Sequence, residues 1–173
     1  MRILIITVAL FVFGAFNTYL IAQSTGLDPG DKSPEIRLTA INGDTVALSS
    51  LKGKLVLIDF WATWCAPCVK EQSELAVLYR KYKLHTFTNG EGFEIYGVSL
   101  DAKKPGWENF VMTNKINWIQ VSDLKFWRSP VAKTYGIQEL PFNILIDGNG
   151  VILAKNLHGQ DLEKEIVRFL FVK

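Results

Sequence analysis

The chain has 173 residues, 49% of them hydrophobic and 12% aromatic, which is enough apolar material for one domain with its own core. Its 19 basic and 17 acidic side chains leave a net charge of +2, with no basic field for a polyanion and no acidic tail, so nucleic acid is not expected as a partner. The sequence holds no internal repeat and no low-complexity tract.

Arg2 is followed by the uncharged run ILIITVALFVFGAF (Ile3–Phe16), and the next charge is Asp28. Residues 1–24 therefore read as an export signal, cut after Ala22 or after Ser24. An uncleaved membrane anchor is the alternative, because the apolar stretch continues through Tyr19, Leu20 and Ile21. No cysteine lies near this boundary to carry a lipid. Either reading places the folded part outside the cytoplasm, where disulfides persist. Residues 25–34 are rich in Gly, Pro and polar side chains and read as a linker, leaving 35–173 as the folded domain.

Within that domain, EIRLTA and TVALS alternate apolar with polar residues around Asn42-Gly43-Asp44, a hairpin pattern. KLVLIDFW is a nearly continuous run of strand formers, as in a central strand covered on both faces. From Ala66 to Lys83, apolar positions at Val69, Leu75, Leu78 and Tyr82 predict a helix of about five turns. FEIYGVSL (Phe93–Leu100) reads as the next buried strand, and GWENFVMTNK as a helix with Trp107, Phe110 and Val111 on one face. Ser129-Pro130 supplies a helix cap and a first helical residue. NILID, the turn Gly148-Asn149-Gly150 and VILAKN predict a second hairpin, and DLEKEIVRFLF a closing amphipathic helix. Strands alternating with helices imply an α/β fold, a mixed sheet flanked by helices.

The only two cysteines lie in DFWATWCAPC, at Cys65 and Cys68. Cys65 stands where the apolar strand ends and the helix begins, with Pro67 suited to the first turn. Unpaired backbone N–H groups and the positive end of the helix dipole there favour a thiolate, the form that attacks disulfides. Cys68, three residues on, shares the first turn and can close a ring with Cys65, which makes Cys65 the nucleophile and Cys68 the resolving sulfur. A static staple is a poor explanation, since so small a ring removes little chain entropy. A metal site needs two more ligands, and the only histidines are His85 and His158; a haem attachment needs His where Val69 stands. No cofactor or metal is expected.

Asp59 interrupts the apolar strand. An ionised, unpaired carboxylate there is costly, so its pKa should rise, and a buried acid near a thiol can serve as general base for Cys68. A structural aspartate bonded to backbone at the strand end is the alternative. Glu71 lies above Cys68 on the helix surface, although an acid in the second turn is also ordinary dipole chemistry. Trp61 and Trp64 flank the cysteines and, with Pro67, are placed to pack against a client. Trp107, Trp118 and Trp127 read as core or surface packing, and His158 as a polar strand-end residue without a role.

WCAPC after a strand ending in Asp-Phe-Trp, then a helix, then Leu140-Pro141 before a hairpin, resembles the thioredoxin fold. More narrowly it resembles the exported thiol-disulfide oxidoreductases of the TlpA/ResA group, from about Gly30 to the C-terminus. The resemblance implies an N-terminal β-hairpin, a central strand-helix insertion over YGVSLDAKKPGWENFVMTN, and a cis proline at Pro141 whose backbone, with Leu140, pairs with the client chain. It also implies a functional glutamate at Glu71. Two residues depart from the group's pattern. Ser73 replaces a proline that kinks the active-site helix, so a straighter helix is expected, and Leu140 and Phe142 flank Pro141 where small residues are usual.

The resemblance implies an enzyme that exchanges protein thiols and disulfides in the cell envelope, as a reductase fed by a membrane electron donor, with cytochrome c precursors among its clients. A redox-inert binding module and a peroxiredoxin-like peroxide reductase are the alternatives on the same fold. Peroxiredoxins carry Thr and Pro three and seven residues before the reactive cysteine, where this chain has Ala62 and Ile58.

Overall fold

The computed structural model describes residues 26–171, so the leader read over residues 1–24 lies outside the described residues. Among the described residues no helix is long and apolar enough to cross a membrane. The first alternating stretch forms the predicted hairpin, β1 (Arg37–Ala40) antiparallel to β2 (Thr45–Ala47). Asn42 Oδ1 accepts from the Asp44 amide at 3.1 Å in its turn, and Gly43 takes φ 92°, a left-handed value that a side chain opposes.

The apolar run becomes β3 (Leu55–Trp61), buried at every position, and α1 (Ala66–Tyr82) follows without interruption at Ser73. β4 (Thr86–Phe87) and β5 (Gly90–Glu91) form a separate ribbon that is too short to show a sequence period. β6 (Phe93–Ser99), α2 (Lys104–Thr113) and β7 (Ile119–Ser122) come next. Ser129 Oγ accepts from the Ala132 amide and Pro130 opens α3 (Pro130–Thr134), as the pair predicts. β8 (Phe142–Ile146) and β9 (Ile152–Lys155) make the second hairpin, and α4 (Gly159–Arg168) closes the chain. α4 ends before the apolar FLF because that segment turns to the β4–β5 ribbon, where the Phe169 carbonyl accepts from the Thr88 amide at 2.7 Å.

Among the described residues seven strands form one mixed sheet in the order β2-β1-β7-β6-β3-β8-β9, with β3 between parallel β6 and antiparallel β8. Side chains of β3 alternate between the faces. Leu55 and Leu57 meet Leu75 and Leu78 of α1 and Leu162 and Ile166 of α4, while Val56, Ile58 and Phe60 meet Trp107 and Val111 of α2 and Ala132 of α3. Both faces are covered, which is why this strand reads as an unbroken apolar run.

The segment read as a linker docks on the second hairpin instead of standing free. The Gly30 amide donates to Ile152, the Ile152 amide to Asp31 and the Ser33 amide to Gly150, and Ser33 Oγ bonds the Tyr135 hydroxyl at 2.8 Å. Backbone groups of an edge strand need partners, and this segment supplies them.

One register line breaks the apolar pattern. Asn143, Asp59, Gly97 and Gln120 stand opposite one another across β8, β3, β6 and β7, and the three side chains are all buried. Gln120 Oε1 accepts from Trp61 Nε1 at 3.0 Å, with its amide lying over Gly97, where an added Cβ would collide with it. Gly97→Ala should therefore destabilise the protein by about 1–3 kcal/mol in urea unfolding through overpacking. An unchanged midpoint would mean that the Gln120 amide has free space to retreat into.

Candidate functional site

β3 delivers the chain to the cysteines, and a turn fixed from β6 aims them. The Leu100 amide donates to Trp61 at 2.8 Å, and Asp101 accepts from both the Thr63 amide at 3.1 Å and the Thr63 hydroxyl at 2.6 Å. Cys65 is the N-cap of α1, with Pro67 in the exposed first turn, and its Sγ accepts from the Cys68 amide at 3.2 Å. The helix thus offers one of its unpaired donors, the Cys68 amide, to that sulfur. Cys65 and Cys68 are joined as a disulfide with Cα atoms 5.2 Å apart. Cys65 is 6% exposed and Cys68 is fully buried, so Cys65 is the outer member of the pair.

By strand alternation Asp59 points to the same face as Leu55 and Leu57, under α1. Cys68 and Gln72, four residues apart and both buried, lie along one side of that helix. Gln72 Nε2 donates to Asp59 Oδ2 at 3.1 Å, and Asp59 Oδ1 has no protein partner. The partner is a helix side chain, not the strand-end backbone of the alternative reading. Burial pushes the Asp59 pKa from 3.8 up to about 7, the negative Glu71 nearby adds to the rise, and the Gln72 bond only partly offsets it. The carboxyl group therefore exchanges its proton near neutrality.

Glu71 is buried despite its place on a helix surface, and its Oε1 lies 2.7 Å from His158 Nδ1. His158 Nε2 in turn lies 3.0 Å from Asn156 Oδ1. Sequence reasoning gave His158 no role, since no spacing or period links residue 158 to residue 71; only the packing of α4 beside α1 joins them.

The aromatic neighbours divide. Trp61 is fully buried against Phe110 and held by Gln120, so it is not a client-facing residue, contrary to expectation. Trp64 is 46% exposed and its ring lies 5.0 Å from Phe126 and 6.0 Å from Trp127, both 39% exposed. Three rings thus form one apolar shelf beside Cys65, and the contribution of Phe126 is not visible from the sequence. Leu140 and Phe142 pack into the same apolar cluster as the two cysteines, and the Leu140–Pro141 bond is cis, just ahead of β8. The structure thus brings Cys65, Cys68, Asp59, Glu71 and Trp64 to one end of the sheet, and Leu140 packs against the core cluster that includes the cysteines.

The AhpC/TSA family model matches residues 29–155. A thiol-disulfide oxidoreductase ResA of Bacillus thuringiensis subsp. konkukian is 32% identical over 152 residues, covering 83% of this chain and 78% of that one. Among solved structures, the thioredoxin domain of a thiol-disulfide oxidoreductase from Bacteroides vulgatus is 36% identical with TM-score 0.75, covering 84% of this chain and all of that one. A thiol:disulfide interchange protein from Bacteroides sp. is 35% identical with TM-score 0.73, covering 83% of this chain and 90% of that one.

An Asp59 that holds its proton up to about 7 when folded and to 3.8 when unfolded binds the extra proton in the folded state across that window. Stability should therefore fall as pH rises from about 4 to about 7, by up to roughly 4 kcal/mol at about 1.4 kcal/mol per pH unit. Asp59→Asn removes that loss, so its advantage over the parent in urea unfolding of the oxidised proteins should grow between pH 4 and pH 8. A difference that does not change with pH would place the carboxyl group in a wet site.

Proposed function

This chain belongs to the AhpC/TSA family and is a thiol-disulfide oxidoreductase of the thioredoxin fold, and from that premise we propose that it reduces protein disulfides in the cell envelope through a Cys65–Cys68 cycle. One observation carries the reading: the bonded pair sits on the N-terminus of α1, the outer cysteine slightly exposed and the inner one buried, with a carboxyl group of raised pKa bonded to Gln72 one helical turn on from the inner one.

In the reduced protein the Cys65 thiolate attacks one sulfur of a client disulfide, and the client's other sulfur leaves as a thiolate. Asp59 then takes the proton of the Cys68 thiol, the Cys68 thiolate attacks Cys65 Sγ, and the captured client sulfur departs as a second thiolate. Two electrons have passed to the client, and the Cys65–Cys68 disulfide is the product. A dithiol donor at the membrane returns the electrons. Glu71 acts on this cycle through its charge beside Asp59. Trp64, Pro67, Leu140 and Pro141 meet the client chain, with Phe126 and Trp127 extending the apolar contact that Trp64 begins.

The leader pattern of residues 1–24 supports export, with the domain released after cleavage or held at the membrane by the uncleaved segment. Cytochrome c precursors are among the envelope clients. Ala62 and Ile58 stand where a peroxide-reducing enzyme needs Thr and Pro, so the peroxidase alternative draws no support from this site.

Cys68→Ser should accumulate a client joined to Cys65, visible on a non-reducing gel, whereas Cys65→Ser should capture nothing. Asp59→Asn should slow the release step on the order of 10²-fold at pH 7 while leaving capture intact. A reduction potential at about −270 mV or below fits a reductase, and one near about −120 mV would reverse the direction of flow.

A further inference from the structure

Glu71 brings a second carboxylate to the Asp59–Cys68 site, and like charges in a dry setting oppose each other's ionisation. What meets it is the His158 ring, and the segment carrying that ring is itself built into the sheet. Asn143, next to Asp59 in the polar row, donates through Nδ2 to the Leu157 carbonyl at 2.6 Å and accepts at Oδ1 from the Leu157 amide at 3.1 Å. Its backbone carbonyl accepts from the Asn156 amide at 2.7 Å. Asn156 (φ 53°) and Gly159 (φ 52°) both turn left-handed on either side of the ring. Three bonds from one buried side chain and its backbone therefore hold His158 against Glu71.

Each ring nitrogen faces an acceptor, Glu71 Oε1 at 2.7 Å and Asn156 Oδ1 at 3.0 Å, with the Asn156 amide assigned oxygen toward the ring. The ring can donate to Glu71 Oε1 through Nδ1, and as the cation, with a hydrogen on both nitrogens, it can also donate to Asn156 Oδ1. Two of the other charges around the site are paired. Lys155, at the end of β9, is bonded to Asp28, and Asp161, in the first turn of α4, to Lys164. Glu74 of α1 approaches Gly159 and adds a further negative charge near the ring.

We propose that His158 is a positioning residue for the redox centre: its imidazolium offsets the Glu71 carboxylate and so sets the pH at which Asp59 can take the Cys68 proton. The inference rests on the reading of Asp59 as that base. The sign follows directly. With the cation present, Glu71 opposes ionisation of Asp59 less, so Asp59 is an available base at lower pH. Without it, the full Glu71 charge faces Asp59, and the release step needs a higher pH.

Rapid mixing of the reduced protein with excess peptide disulfide isolates the Cys68 step as the phase whose rate does not depend on peptide concentration. His158→Gln should move the pH midpoint of that phase up by about one pH unit, a rate loss of about tenfold below the midpoint, and the rates should converge at high pH. His158→Arg, which keeps a cation, should restore the midpoint, and His158→Gln should add nothing once Glu71→Gln is present. His158 is more than a third exposed at its side chain, so these variants should fold, and equal thermal melts check it. An unmoved midpoint in His158→Gln, alongside loss of the pH step in Asp59→Asn, overturns the proposal and leaves Asp59 as the base. A pH step that survives Asp59→Asn overturns both.

Discussion

Asp59 puts a carboxyl group where both faces of the sheet are dry, and much of the surrounding structure answers that fact. Water is replaced by one amide from Gln72, one oxygen is left without a protein partner among the described residues, and burial, helped by the nearby Glu71 charge, carries the proton affinity to about 7. The polar row of Asn143 and Gln120 in the same register extends this chemistry across four strands, at the expense of hydrocarbon packing in the middle of the domain. A fold selected for stability alone has no reason to keep an unpaired acid there, and the proton exchange near neutrality is what it gains.

The helix above supplies the other half. α1 starts at a cysteine cap, so the Cys68 amide, one of the donors that a helix start leaves without an intrahelical partner, is turned to a sulfur. Cys68 and Gln72 then fall on the buried side by helical geometry, one forming half of the disulfide and the other touching the acid. Proton and electron chemistry meet along a single side of one helix, which is a compact way of coupling them.

Much of this was legible from the chain because it is local. The run Leu55–Trp61, the cap at Ser129, the turn at Asn42-Gly43 and the Cys-x-x-Cys at a helix start each announce themselves through spacing or turn chemistry. Even the raised proton affinity of Asp59 follows from an acid lying inside an apolar strand. What escaped depends on which strands become neighbours. Asn143 reaches Leu157, Glu71 reaches His158 and Phe126 reaches Trp64 only after β8, α4 and the loop before α3 have docked, and residues far apart in sequence carry no period that pairs them. Trp61 misled for the opposite reason: adjacency to the cysteines suggested a surface role, while strand packing turned its ring inward to Gln120.

The unequal depth of the two sulfurs gives the pair a handedness in time. Cys65 keeps a little of its surface exposed and Cys68 none, so a visiting disulfide meets Cys65 first while the first turn of α1 stays folded. A client disulfide must therefore stand clear of its own surroundings to come within bonding range of so shallowly exposed a partner.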